Sequence, residues 1–480
     1  MALKEIWKGH YAGVPRQLGR LKELRGVAGA FNANVDAVLK LKPASLGPLC
    51  RQLGAPPESL LEVGPRKVAA PVDVLRGFVD CFRRGSAQEW VVTNAGAYEW
   101  MRKYLGYDRL QMGGQGGIAA NVMAVAGVPR VYVHCASLPG EQAGLFVGHA
   151  NLLSTDRFGD LQPVASIQRP DDPPMVHWIL EFDQGDELTL GSVILRAPKA
   201  NRFIATYDPL NMALHVDEGF DRAMGRASHP LEVILLSGYQ LLSATLPGQK
   251  PGSGLRRIDQ TWAQVQAWRD AHPGCVVHFE WASTQDAEVV RHLAGTVGRD
   301  ADSVGCNEQE LIALLETLGE KALAKGCAGL GAVALFKGLR RVFDRLKLKR
   351  IQLHMYGLYM TLLRPGSEAL GPAFQPQANR DGMVLAATLA ASKAGTGNLD
   401  DASQLLWAHG REVADQGLAE LSALAEQLEP GGGASSLAVD GMFKGRDFNL
   451  VAVPTILVEP PLSLVGLGDT ISSLSLVGAR

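Results

Sequence analysis

The sequence predicts an α/β fold: a central, mostly parallel sheet flanked by helices, carrying a smaller β-rich lid built from discontinuous segments. Short runs rich in β-branched residues alternate with helical stretches along most of the 480 residues, which is the pattern of a parallel sheet covered by helices. The rhythm breaks twice, at about residues 37–110 and 166–203, where Pro, Arg and irregular short strands accumulate. Two interruptions of one regular sheet predict a single lid. The expected division is a large domain over residues 1–35, 111–165 and 204–480, and a small lid over 36–110 and 166–203. A chain of this length buries a large core and has room for more than one domain.

In chain order, the predicted strands are "GVAGAF" (26–31), "RVYVHC" (130–135), "LEVILLSG" (231–238), "GCVVHFEW" (274–281), "RIQLHMY" (350–356) and the apolar run "LVAVPTILVEPPLS" before Leu464. Three helices are predicted between them. "TWAQVQAWRDAHPG" closes on Pro273 and Gly274, "NEQELIALLETLGEKALAKG" on Gly326, and the stretch over 400–433 on three glycines. Glycine and proline at such ends are ordinary stop signals.

Composition narrows the class. Lys plus Arg number 47 against 49 Asp plus Glu, so no basic face is advertised and nucleic acid is not expected as a main partner. No apolar run reaches bilayer length, and "MALKEIWKGHYAG" has charges where a signal peptide needs an apolar core. The expectation is a cytoplasmic protein without a membrane partner. The six cysteines are scattered with no CxxC pair, which predicts free buried thiols rather than disulfides or a zinc site.

The chemistry concentrates in a few motifs. In "LVGLGDTIS" (464–472), Gly466 and Gly468 open a bend before a predicted helix. The free N–H groups and dipole at such a start form an anion site, commonly for phosphate. Asp469 in that position makes sense as a base toward an attacking hydroxyl while the amides hold charge. The alternative is that it only caps the helix. In "MGGQGG" (112–117), the glycines bring backbone close to a polar ligand, and Gln115 offers a donor and an acceptor; a tight domain connection is the other reading. Asn34 and Asp36, two apart in an extended segment, point the same way. Beyond a strand end they could share one ligand or simply form a turn. In "VVHFEW", Glu280 suits a hard cation better than His278 does. Asn307 and Glu310 have capping-box spacing, a role compatible with metal binding. His177 could be a satisfied strand histidine.

Taken in order, "NANVDA", "MGGQGGIAANV", "VHWILEF", "APKANRFI", "VHFEWAS", "CNEQEL", "LHMYG" and "VGLGDTISS" resemble the ADP-dependent sugar kinases of the ribokinase-like superfamily, the group of ADP-dependent glucokinases and phosphofructokinases. The motifs span about residues 29–473. The resemblance implies a ribokinase-like domain with a lid, and transfer of the β-phosphoryl group of ADP to a sugar hydroxyl, with Mg²⁺ as cofactor and AMP as product. It implies Asp469 as catalytic base and the amides of Leu467, Gly468 and Asp469, with Gly466, as the anion hole. Asn34, Asp36, Gly114, Gln115 and His177 match sugar-binding positions, and Arg202 and Tyr356 match nucleotide positions. Glu280, Glu308 and Glu310 match positions tied to the metal. Leu464 stands where the family commonly has a hydroxylated residue, with Ser463 adjacent. The preference for ADP over ATP is implied by the resemblance alone.

For the acceptor, Glu89 lies at about the separation of a lid glutamate that marks glucose binding, with Glu99 as rival. Arg196 and Lys199 could instead hold a 6-phosphate. Glucose is the leading expectation, with 6-phosphofructokinase or dual activity next, then an ATP-dependent kinase of the wider superfamily, and a catalytically silent sugar or nucleotide sensor as the non-enzyme reading.

Overall fold

The computed structural model describes residues 3–62, 64, 66–284, 286–429, 435–463 and 465–480. Its main body is an eleven-stranded sheet. Seven of its strands run parallel, in the spatial order Arg350–Met355, Ser303–Cys306, Val276–Glu280, Val233–Leu236, Val27–Ala30, Val131–Val133 and Leu152–Thr155. Antiparallel strands close both edges: Leu358–Leu363, Asn449–Pro454 and Met442–Lys444 on one side, Leu161–Pro163 on the other. The parallel strands read as continuous apolar runs because helices cover both faces. Val233–Leu236 and Val276–Glu280 are buried at every position.

Within one helical layer, Pro376–Thr396 packs on Leu467–Val477, which in turn packs on Gln115–Val125. The starts of the last two helices and the end of the first therefore come together beyond the C-terminal ends of the parallel strands. In an open parallel sheet, ligands bind there.

A second, six-stranded sheet has the order Lys67–Val68, Gln88–Val92, Asn201–Tyr207, Val176–Phe182, Asn34–Lys40, Arg109–Gly113. Its own apolar cluster includes Val35, Trp90, Trp178 and Phe203. Three helices, Pro43–Leu53, Pro71–Arg84 and Ala95–Tyr104, run through the stretch expected to be strands and irregular chain. Pro71–Arg84 is strongly amphipathic and buries Val74, Leu75, Phe78 and Phe82, a period obscured in the sequence by its Arg-rich outer face.

Two expected helices are each broken by a glycine in the left-handed region. "NEQELIALLETLGEKALAKG" becomes Glu308–Thr317 and Lys321–Cys327, separated at Gly319 (φ 85°). Among the described residues of the 400–433 stretch, a short turn at Ala402–Gln404 and the helix Asp415–Leu428 form, with Gly410 (φ 86°) between them. The three closing glycines and Leu464 lie outside the described residues. The six cysteines are free and buried. Among the described residues no helix is long and apolar enough to cross a membrane.

Candidate active site

Gly466 (φ 69°) is the N-cap of the helix Leu467–Val477 and has no side chain with which to cap it. The first N–H groups, from Leu467 onward, thus have no intrahelical acceptor. Asp469 is the third helical residue rather than the cap, so the capping alternative does not describe it. Burial raises the pKa of its carboxyl to about 6, assisted by the charges of Glu280 and Asp36 and opposed by Lys393 and the neighbouring Gln115 side chain. Thr470 and Ser473 turn their hydroxyls inward to the carbonyls of Gly466 (2.8 Å) and Asp469 (2.6 Å). Their bonding leaves the amide end of the helix clear.

The two glycine-rich motifs meet the Asn34/Asp36 pair. Asn34 and Asp36 do not follow the end of a large-sheet strand; they open the strand Asn34–Lys40 of the second sheet, because the chain crosses between sheets after Ala30. Asn34 Nδ2 donates to Asp36 Oδ1 (2.9 Å), and both side chains are buried. Gly113 lies opposite Asn34, and a Cβ there would stand 2.1 Å from Asp36 Oδ1 and 2.4 Å from Asn34 Nδ2. Only glycine leaves room for the pair. Gly114 is the N-cap of Gln115–Val125. Asn34 Oδ1 and Gln115 Oε1 are buried with no hydrogen-bond partner among the described residues, which is the state expected of acceptors held for a ligand.

His177 lies in register with Asp36 on one side and Thr206 on the other. Its Nε2 is 3.0 Å from Asp208 Oδ2. Burial alone would hold the imidazole neutral, but the bond to Asp208 and the charges of Asp208, Glu89 and Asp36 raise its pKa to about 9. Burial pushes Asp36 up as well, countered by His177, Asn34 and Gln111. Glu89 accepts from Thr206 Oγ1 (2.6 Å). Arg202, Ile204 and Thr206 alternate onto one face of their strand. Arg202 therefore shares the face of Thr206, about 13 Å along the strand.

Glu99 is on the exposed face of the helix Ala95–Tyr104 and pairs with Arg102 at 3.5 Å, so it is not a rival to Glu89. Arg196 pairs at 4.0 Å with Glu187 across an outer two-stranded hairpin, and Lys199 is exposed beside the end of Pro71–Arg84. Neither lies with the cleft residues, and the expectation that they could hold a 6-phosphate fails on placement.

On the far side of Asp469, Glu280 is buried and hydrogen-bonded to the Ser472 hydroxyl, with His278 Nε2 at 3.2 Å and His354 Nδ1 at 3.9 Å. Burial raises the Glu280 pKa, and His354 and Ser472 oppose the shift. Glu310 forms the expected capping box with Asn307 (2.9 and 3.0 Å). Burial, and then the charge of Glu280, place its pKa well above the usual carboxylate range. Glu308 accepts from the Tyr356 backbone N–H (2.8 Å), while the Tyr356 hydroxyl donates to Glu459 (2.7 Å). Among the described residues, no three His, Cys, Asp or Glu side chains form a ready cage for a metal.

Several members of the site were not legible in the sequence. Asp208 precedes a proline and caps Pro209–Met212, a local role that hides its bond to His177. Arg350 is fully buried, bonding Asn379, Ser303 and Gln352 at 2.8, 2.7 and 2.9 Å beneath His278 and Glu280; an arginine at the first position of a strand carries no signal of burial in the sequence. Lys393 is buried at the end of Pro376–Thr396. A lone lysine in an alanine-rich, otherwise buried helix was the signal available for it.

A glycine-started helix aims its amides and a raised-pKa carboxylate into a cleft between a parallel sheet and a smaller sheet, which defines a ribokinase-like α/β kinase with a lid. The conserved region of the ADP-specific phosphofructokinases and glucokinases matches residues 25–478. The chain belongs to this family. It is 28% identical to the ADP-dependent glucose/glucosamine kinase of Pyrococcus furiosus, covering 99% of this chain and 98% of that protein. It is 27% identical to the ADP-specific phosphofructokinase of Methanosarcina acetivorans, covering 94% and 92%. The solved structure of the last common ancestor of ADP-dependent phosphofructokinases from Methanosarcinales superposes with a TM-score of 0.84 at 26% identity, covering 100% and 99%. An ADP-dependent kinase in complex with fructose-6-phosphate and ADPbetaS superposes with a TM-score of 0.82 at 25% identity, covering 98% and 97%.

Proposed function

We propose that this chain is an ADP-dependent sugar kinase that transfers the β-phosphoryl group of ADP to a hexose hydroxyl, with glucose as the acceptor, releasing AMP. The observation that carries the reading is the convergence of Asp469, Gln115 and Asp36 at the start of a helix whose first amides are free. With a pKa of about 6, Asp469 is ionised at neutral pH and close enough to it to act as a base. It accepts the proton of the acceptor hydroxyl as that oxygen bonds to the β-phosphorus and the bond to the α-phosphate oxygen breaks. The amides of Leu467, Gly468 and Asp469 stabilise the charge that develops.

Asn34, Asp36, Gly114, Gln115, His177 and Glu89 hold the sugar. A wall carrying Asp36 and Glu89, with Arg196 and Lys199 elsewhere, supports a neutral sugar over a sugar phosphate. The six-stranded sheet, taken with residues 36–110 and 166–203, acts as the lid. Its closure would carry Arg202, whose fork suits phosphate oxygens, across to the nucleotide near Tyr356 and exclude water. Two buried carboxylates, Glu280 and Glu310, the charge of the first raising the pKa of the second, fit a hard divalent cation held through water. Mg²⁺ there would neutralise phosphate charge; Glu308 is tied to the Tyr356 turn and is the weakest of the three candidates.

The test is AMP release from ADP, measured over glucose, glucosamine and fructose 6-phosphate. The expected result is turnover with glucose that Asp469→Asn lowers by about 10² to 10⁴ in a folded protein. Turnover unchanged by that substitution would refute the base, and a preference for fructose 6-phosphate would reverse the acceptor.

A further inference from the structure

Among the described residues, a lysine faces the start of the last helix. Lys393 lies in the last turn of Pro376–Thr396, and the packing of that helix on Leu467–Val477 brings its ammonium to the bend. A Cβ at Gly466 would stand 2.8 Å from Lys393 Nζ. Lys393 is 8% exposed, and it joins no ion pair among the described residues; Asp469, Asp400 and Asp36 act on it only through their fields. An ammonium taken out of water without a paired carboxylate costs stability. Lys393 also lines a cavity of about 790 Å³, together with Gln111, Asn398, Asp400 and Val465. Small solutes therefore have a route to its head group.

We propose that Lys393 is a catalytic residue whose ammonium joins the 466–469 amides in stabilising the phosphoryl group during transfer. This role rests on the phosphotransferase reading of the same cleft. The physical reason is magnitude: a helix start offers about half a unit of positive charge, whereas the ammonium adds a whole unit in a poorly solvated place, where it counts for more than in water. The competing explanation is that Lys393 only complements the C-terminal dipole of its own helix. In that case its removal would cost stability and leave chemistry alone.

Lys393→Met and Lys393→Ala separate the two when AMP release and thermal melting are measured on the same preparations. The role requires kcat to fall by about 10² to 10³, as for loss of one oxyanion donor, with sugar KM nearly unchanged. It requires the melting temperature of Lys393→Met to equal or exceed that of the wild type. Ethylamine should restore part of the lost kcat of Lys393→Ala by entering through the cavity. Undiminished kcat in Lys393→Met, or a kcat loss that only follows a lowered melting temperature and resists the amine, would overturn it. A wild-type chain that releases no AMP from ADP with any of the sugars sinks the phosphotransferase reading and this role together, whereas an active wild type with an equally active Lys393→Met sinks the lysine alone.

Discussion

The two sides of Asp469 are built differently. Toward the second sheet, Asn34, Asp36, His177 and Asp208 are all buried and linked in pairs by hydrogen bonds of 2.9 to 3.0 Å. Toward the antiparallel edge of the large sheet, Tyr356 is 52% exposed and sits in a turn fastened by the carboxylates of Glu308 and Glu459. The first side is held in shape before anything binds. The second is a partly solvated rim that costs little to rearrange. The rim is therefore the cheaper place to tolerate sequence change.

Perturbations on the two sides should differ in kind. The largest effect belongs to the group between them: Asp469→Asn should lower kcat by about 10² to 10⁴, the worth of a positioned base, with sugar affinity little altered by calorimetry. In the wild type, kcat should rise with pH through about 6, the raised pKa of that carboxyl; a flat profile from pH 5 to 7 would contradict the assignment.

Next comes the sealed side. Asp208→Asn strips a buried imidazole of its partner and should cost about 3–5 kcal/mol in denaturant unfolding, the usual consequence of halving a buried pair. The same pair has a pH signature. The folded pKa of His177 is about 9 against an ordinary 6.5, so its contribution to stability is complete below pH 6.5 and is lost as pH rises through 9. His177→Gln should erase that part of the melting-temperature profile.

The smallest effect is expected at the open rim. Tyr356→Phe removes one solvent-screened bond to Glu459 and should change stability by less than about 1 kcal/mol, with any kinetic change confined to the KM for ADP. A large stability loss there would remove the contrast between the two sides.

Much of the site was legible because its chemistry is local. The glycines around Gln115 and the bend before Asp469 announce close backbone approach, and a carboxylate after such a bend is unusual enough to notice. The strands ending at Ala30, Leu236, Glu280 and Met355 were legible for a similar reason, since parallel strands buried on both faces are continuous apolar runs. Helix continuity was not legible at Gly319 and Gly410, because periodicity carries across a single glycine whose left-handed φ is fixed only by the packing on either side.

By itself the sequence determined the fold class, the place of the Asp469 carboxylate at a glycine-started helix and the polar residue types gathered around it, since these follow from periodicity and from what each side chain can donate or accept. Only the tertiary structure decided that Glu89 faces the cleft while Glu99, Arg196 and Lys199 do not, that Asp208 holds the buried His177 and Arg350 the buried Ser303 beneath His278, and that Lys393 reaches the bend at Gly466. Those outcomes depend on register and helix packing between segments tens to hundreds of residues apart. A side chain's field acts through space, and no local pattern encodes which distant groups will share it.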